Sequence, residues 1–291
     1  MIRLLFYFLS RWPLWALHAF GSALGWAIYT LSPSYRRKMF AHASVAYPDP
    51  ALCKRVVHSS VGQAGKAILE LPFLWGRTTA EGAASCTDYI GWEVIEAAQR
   101  AGKGIIFLTP HLGSFESTAQ VFSARAPITV LYRPNRNAQL QQIIEASRKR
   151  ENVAIAPTTL AGVKVLLKAL RRGEAVGMLP DQVPNYQEGV WAPMFGKTAY
   201  TMTLPASLFH ASGATIILAL GIRKPWGRGF TLILEKGPES LSKEPHLAAA
   251  EINRAMESLI MRYPSQYYWG YERYKAPKGQ PDNHNQTETV L

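Results

Sequence analysis

Apolar positions along this chain change period from one region to the next. Between residues 104 and 237, six short apolar runs are bounded by turn residues: GIIFLTP (104–110), ITVLYRP (128–134), VAIAP (153–157), EAVGMLPD (174–181), TIILALGIR (215–223) and FTLILEKG (230–237). Runs of that length between Gly and Pro read as buried strands. Helical spacing separates or flanks them. Val57, Val61, Ala64, Ile68 and Leu71 mark a helix over 52–75. Further helices are predicted over 93–100, 138–150, 160–172, 201–212 and 245–262, with Gly102 and Gly173 closing two of them. Strands alternating with helices imply βα units. The expected fold class is α/β, with a mostly parallel sheet flanked by helices on both faces.

The N-terminus follows a different pattern. From Trp12 to Leu31 run twenty residues without a formal charge. A helix of that length reaches about 30 Å, the hydrocarbon thickness of a bilayer. Trp12, Trp15, Trp26 and Tyr29 cluster toward its ends, and Arg36, Arg37 and Lys38 follow. This favours an N-terminal hydrophobic membrane-anchor helix, either spanning or lying in the interface. A buried core helix is the competing reading. A cleaved signal peptide is the third, but Arg11 and Pro13 interrupt the apolar stretch and no clear A-x-A site follows. The expected organisation is an anchor over 1–34, a catalytic domain over 35–275 and a disordered tail over 276–291.

Composition narrows the class. The chain is 48% hydrophobic and 18% charged, which excludes a disordered polar protein. Lys and Arg outnumber Asp and Glu by 32 to 20, a net charge of +12. An anionic partner fits that balance: nucleic acid, a membrane surface, or a phosphorylated or acidic substrate. Cys53 and Cys86 lack metal-ligand spacing and exclude a disulfide framework.

Sites in open α/β sheets lie beyond the carboxyl ends of strands. One such end is TPHLGSFES (109–117), where His111 follows the apolar run and Glu116 comes five residues later. Gly113 and Ser114 permit a sharp turn, with a helix expected from about Phe115. A carboxylate on one imidazole nitrogen fixes the tautomer and frees the other to take a proton from a hydroxyl. No G-x-S-x-G elbow is present, so the hydroxyl can belong to a substrate. Ser114 and Ser117 remain alternative nucleophiles, although serine at such a turn is commonly a helix cap. A second strand end, MLPDQVP (178–184), carries Asp181 and Gln182. Asp181 there reads either as a cap or as the orienting partner of a basic residue. Arg133 and Arg148 suit a phosphate or a developing oxyanion, against the alternative of solvated surface charge.

Taken in order, these pieces resemble the bacterial lipid A biosynthesis acyltransferases of the lauroyl and myristoyl type. The shared features are the apolar N-terminal segment, His-x4-acid (His111, Glu116), YRPN-x-N (132–137) and Arg148. Further on come KALRRGEAV-x-x-x-PDQ (168–182), WAPMFGK (191–197) and QYYWGYERYK (266–275). The match covers roughly residues 1–275. It departs at Ser147-Arg148-Lys149, where the family often has Arg-Gly-Arg, and at Val-Pro-Asn after PDQ, where Asp-Tyr-Gly is common.

The resemblance implies transfer of an acyl chain from acyl carrier protein to a hydroxyl of a lipid A precursor at the inner membrane, on the cytoplasmic face. It implies His111 as general base and Glu116 as its partner. Arg133, Asn135, Arg148, Asp181 and Gln182 would be substrate-binding. A thioester is already activated, so no metal or cofactor is required. The alternatives are a glycerophospholipid acyltransferase and a non-enzymatic basic protein coating membrane or nucleic acid. The Pro-Glu-Gly-Thr motif common in the first is absent, and no compact nucleic-acid motif supports the second.

Overall fold

A computed structural model describes residues 2–134, 141, 142, 144, 145 and 152–280 of the chain. The helix expected over 138–150 lies mostly outside the described residues.

Four helices open the fold: α1 (Ile2–Ser10), α2 (Leu14–Leu31), α3 (Pro33–Ala46) and α4 (Pro50–Gly76). Local chemistry sets their starts. The Ser32 hydroxyl accepts from the Tyr35 N–H at 3.3 Å, and the Asp49 carboxylate accepts from the Leu52 N–H at 2.7 Å. A short helix α5 (Thr79–Ala84) leads into β1 (Cys86–Ile90), α6 (Trp92–Ala101), β2 (Ile105–Leu108) and α7 (Phe115–Ser123). Then come β3 (Ile128–Tyr132), β4 (Val153–Pro157), α8 (Leu160–Arg171) and β5 (Ala175–Met178). The chain continues through β6 (Gly189–Met194), β7 (Lys197–Met202), α9 (Leu204–Ser212), β8 (Thr215–Arg223), β9 (Phe230–Lys236) and α10 (Pro245–Arg262).

Among the described residues, seven strands form one sheet in the order β1-β9-β8-β2-β5-β3-β4. Every neighbouring pair is parallel except β8 with β9. The mixed α/β class and the mostly parallel sheet therefore stand as expected from the sequence. Alternate side chains feed two cores. Ile106, Leu108, Val176, Met178, Ile216 and Leu218 pack with α4, α8 and α10. Ile105, Phe107, Ala175, Ile217 and Ala219 pack with α6 and α7 on the other face.

The N-terminal segment does not support the membrane-spanning form of the expected anchor. It breaks between Ser10 and Leu14 into two helices, and no described helix is long and apolar enough to cross a membrane. One face of α2 is buried through Leu14, Leu17, His18, Gly21, Gly25 and Tyr29. A Cβ on Gly21 or Gly65 would collide with the other helix's backbone, so α2 and α4 meet at glycine-limited distance. The opposite face of α2 exposes Trp15, Phe20, Leu24, Trp26 and Leu31.

Candidate active site

The carboxyl edge of the sheet carries His111, one turn beyond β2. The turn is built by its neighbours. Gly113 has φ +59°, and a Cβ there would strike the Gly221 carbonyl. The Ser114 N–H donates to Gly221 at 2.6 Å, the Gly113 N–H to the Gln266 carbonyl at 2.9 Å, and the Tyr268 N–H to the His111 carbonyl at 3.1 Å. Helix α7 starts immediately after, as expected.

Asp181, on the loop after β5, grips His111 twice. Its Oδ2 accepts from the His111 backbone N–H at 2.8 Å, and its Oδ1 lies 2.7 Å from Nδ1. Asp181 is 1% exposed. Burial opposes its ionisation, yet the His111 charge and hydrogen bonds, with Arg273 nearby, hold the carboxyl below its ordinary value. An ionised Asp181 requires hydrogen on Nδ1. In the neutral imidazole that leaves Nε2 as the acceptor, and the Gln182 amide nitrogen lies 2.9 Å from it.

This corrects the pairing expected from His-x4-acid spacing. Glu116 sits in the first turn of α7, where a carboxylate suits the helix N-terminus. Its Oε2 accepts from the Trp75 indole N–H at 3.1 Å, while the imidazole's hydrogen bonds go to Asp181 and Gln182. Five residues across a sharp turn place both groups on one cavity wall without placing the carboxylate on Nδ1. Asp181, expected to contact substrate or orient a basic residue, orients the imidazole. Gln182, expected on the substrate, touches the imidazole as well.

A cavity of about 760 Å³ opens at His111 and Glu116. Its inner wall is apolar: Phe107, Ala119, Phe122, Ile128, Val130 and Ala219, with Gly177 between β2 and β3. Its outer wall adds polar residues, Arg133, Thr158, Gln182, Tyr186 and Glu188, beside the exposed Leu160. Arg133 is exposed at the carboxyl end of β3, and its Nη2 donates to Asn185 Oδ1 at 3.2 Å. Asn135 and Arg148 lie outside the described residues. Ser114 and Ser117 are 1% and 0% exposed and neither lines this cavity, which weakens both as nucleophiles.

Several supporting residues carried no role in the sequence reading. The Tyr271 hydroxyl accepts from the Val183 N–H at 2.9 Å, fixing the loop that carries Asp181 and Gln182. Tyr267 is buried against Asp181, its hydroxyl pushed well above the usual range by burial first and by the Asp181 charge second. Their signal was the aromatic run QYYWGYERYK, which periodicity alone assigns to core. Among the described residues, no three His, Cys, Asp or Glu side chains are grouped to hold a metal ion.

The sequence that builds this site has counterparts among known proteins. The pattern of bacterial lipid A biosynthesis acyltransferases matches residues 4–276. A lipid A biosynthesis lauroyltransferase of Escherichia coli (strain K12) is 29% identical over 258 residues, 86% of this chain and 83% of that protein. The palmitoleoyltransferase of the same organism is 30% identical over 191 residues, 65% of this chain and 61% of its own length. Its myristoyltransferase is 23% identical over 256 residues, 85% and 77% of the two chains. A match running from the first helix to the aromatic segment behind Asp181 takes in every element that builds the site, and the chain belongs to the bacterial lipid A biosynthesis acyltransferases.

Proposed function

We propose that this acyltransferase moves a fatty acyl chain from acyl carrier protein directly to a hydroxyl of a lipid A precursor, a secondary acylation. The observation that carries the reading is His111, oriented by Asp181, at the mouth of a cavity whose inner wall is apolar. With hydrogen on Nδ1, Nε2 is the base. The acceptor hydroxyl displaces the Gln182 amide and gives its proton to Nε2 as its oxygen attacks the thioester carbonyl. The carbon–sulfur bond breaks, and the leaving thiolate takes the proton from the imidazolium. Buried and ionised, Asp181 stabilises that imidazolium. Glu116 adds a second carboxylate at the mouth.

The inner wall suits the acyl chain, because each buried methylene contributes about 0.8 kcal/mol. The outer wall suits the acceptor, with Arg133 placed for a phosphate; Asn135 and Arg148 are assigned to the acceptor by resemblance. A net charge of +12 suits both an acidic carrier protein and a phosphorylated lipid. The exposed apolar face of α2, with Arg36 and Arg37 following on α3, fits a helix lying in the interface. In this reading the domain works on the cytoplasmic face of the inner membrane, where lipid acceptor and soluble donor meet. Mass spectrometry of lipid A from cells with and without this protein tests the reading. One acyl mass gained supports it; identical lipid A from both contradicts it.

A further inference from the structure

Beyond the catalytic cavity, a second one is built around Arg223, the last residue of β8. Arg223 is 5% exposed. Its Nε and Nη2 bond the Glu70 carboxylate at 2.7 and 2.9 Å, and Nη2 also donates to the Gly113 carbonyl at 2.6 Å. His18 Nε2 lies 3.2 Å from the same carboxylate. Nη1 of Arg223 is buried and has no acceptor among the described residues. A guanidinium donor left unsatisfied in the interior is costly unless something completes it.

Beside it lies a cavity of about 400 Å³ lined by His18, Gln63, Lys66, Arg223, Lys224 and Trp226. Charge around it does not cancel. Glu70 answers Arg223, and Lys224 pairs with Asp88. Lys66 has no ion-pair partner among the described residues and is partly buried. Burial first, and the Arg223 charge second, lower its pKa against the opposing Glu70 charge. Lys66 and Arg223, two basic side chains on one cavity, suit an acceptor-rich anion.

The rim says what carries that anion. Trp226 is 86% exposed, with φ +60°. The next residue, Gly227, lies against the Trp15 backbone, so the rim adjoins the exposed apolar face of α2. Tryptophan at an apolar–polar border is the interfacial residue. We propose that this pocket binds the phosphate group of a lipid whose chains lie along that face. Because Nη2 of Arg223 holds the Gly113 carbonyl, the bound phosphate also steadies the turn that carries His111. The lipid assignment rests on the interfacial reading of α2; the anion pocket itself does not.

Dihexanoyl phosphatidate, dihexanoyl phosphatidylcholine and inorganic phosphate are titrated by calorimetry into the full chain, the Lys66→Gln and Trp226→Ala variants, and a Lys103→Gln control at an exposed lysine that does not line the pocket. The expected result is saturable binding of the phosphatidate, weakened about tenfold by Lys66→Gln with an unchanged melting temperature, and unchanged by Lys103→Gln. Trp226→Ala weakens the phosphatidate and leaves inorganic phosphate unaffected. Equal affinity of parent and Lys66→Gln overturns the pocket. Inorganic phosphate binding as tightly as the phosphatidate overturns the lipid assignment. Loss of vesicle binding in an α2 surface variant that still binds soluble phosphatidate supports the pocket and the interfacial reading as separate properties.

Discussion

Asp181 holds His111 by backbone and side chain at once, with hydrogen-bond distances of 2.8 and 2.7 Å to the two oxygens of one carboxylate. A single group thereby fixes both where the imidazole sits and which nitrogen carries hydrogen.

Asp181→Asn should therefore lower the transfer rate by about 10²–10⁴-fold, as His111→Ala should, because an amide no longer enforces hydrogen on Nδ1. The two losses should not add, since both act through one proton transfer. Glu116→Gln should also slow transfer, and its loss should add to that of Asp181→Asn if Glu116 acts on the substrate. Single-turnover rates of the single and double variants decide it. Losses that multiply between His111 and Asp181 would separate the pair.

Gly177 leaves a gap in a central strand, where glycine is otherwise unfavourable. A Cβ there meets Ile128 Cδ1 at 3.5 Å and Val130 Cγ2 at 3.9 Å, ordinary contacts. Gly177→Val should fold, occupy part of the apolar wall and shift preference toward shorter acyl chains. Competition between acyl carrier proteins charged with different chains, read by product mass, checks this. An unchanged product profile in the folded variant would remove that wall from chain selection.

Glu70 is 2% exposed. Burial raises its pKa, but Arg223 and His18 more than offset this and hold the folded value below normal. Its stabilisation is therefore present above the unfolded value, about 4.3, and is lost as pH falls through the lower folded value. Glu70→Gln should cost about 3–5 kcal/mol near neutral pH, because it leaves Arg223 unpaired. The gap in melting temperature should narrow in acid. Parallel curves for parent and variant would remove Glu70 from the acid transition.

The two faces of the α2 and α4 pair should respond differently. Gly65→Ala drives a methyl into the Gly21 carbonyl and should cost about 1–3 kcal/mol in urea unfolding. Trp15→Ser with Phe20→Ser should leave stability nearly unchanged and reduce sedimentation with phosphatidylcholine vesicles. Full sedimentation of that double variant would move the membrane contact elsewhere.

The six strands were legible as short, continuously apolar runs between turn residues, and most helices because their burial is periodic. Other elements were not, among them α3 and α5. Strand β1 sits at the sheet edge with only Cys86 buried, so it shows no alternation. The β6–β7 hairpin turns at Phe195 and Gly196, both at positive φ, where Asn-Gly is the usual signal; the helix expected from 201 starts instead at Leu204. In the site, spacing found His111 and Glu116 but not the pairing. Asp181 lies seventy residues from His111, and only the parallel alignment of β2 with β5 brings them together. The spanning form of the anchor reading is unsupported for a related reason. Hydropathy registers the apolar residues of α2 but not that Gly21 and Gly25 turn half of them toward α4.

Transfer through His111 is tested most directly by incubating the purified protein with acyl carrier protein charged with a fatty acid and a lipid A precursor bearing a free hydroxyacyl chain. Product and intact enzyme are both weighed by mass spectrometry. Direct transfer predicts a precursor heavier by one acyl group with the parent chain, loss of that product by about 10²–10⁴-fold in His111→Ala, and no acyl mass on the enzyme during turnover. An unacylated precursor with the parent chain, equal turnover by His111→Ala, or an acyl group trapped on Ser114 or Ser117 would contradict it.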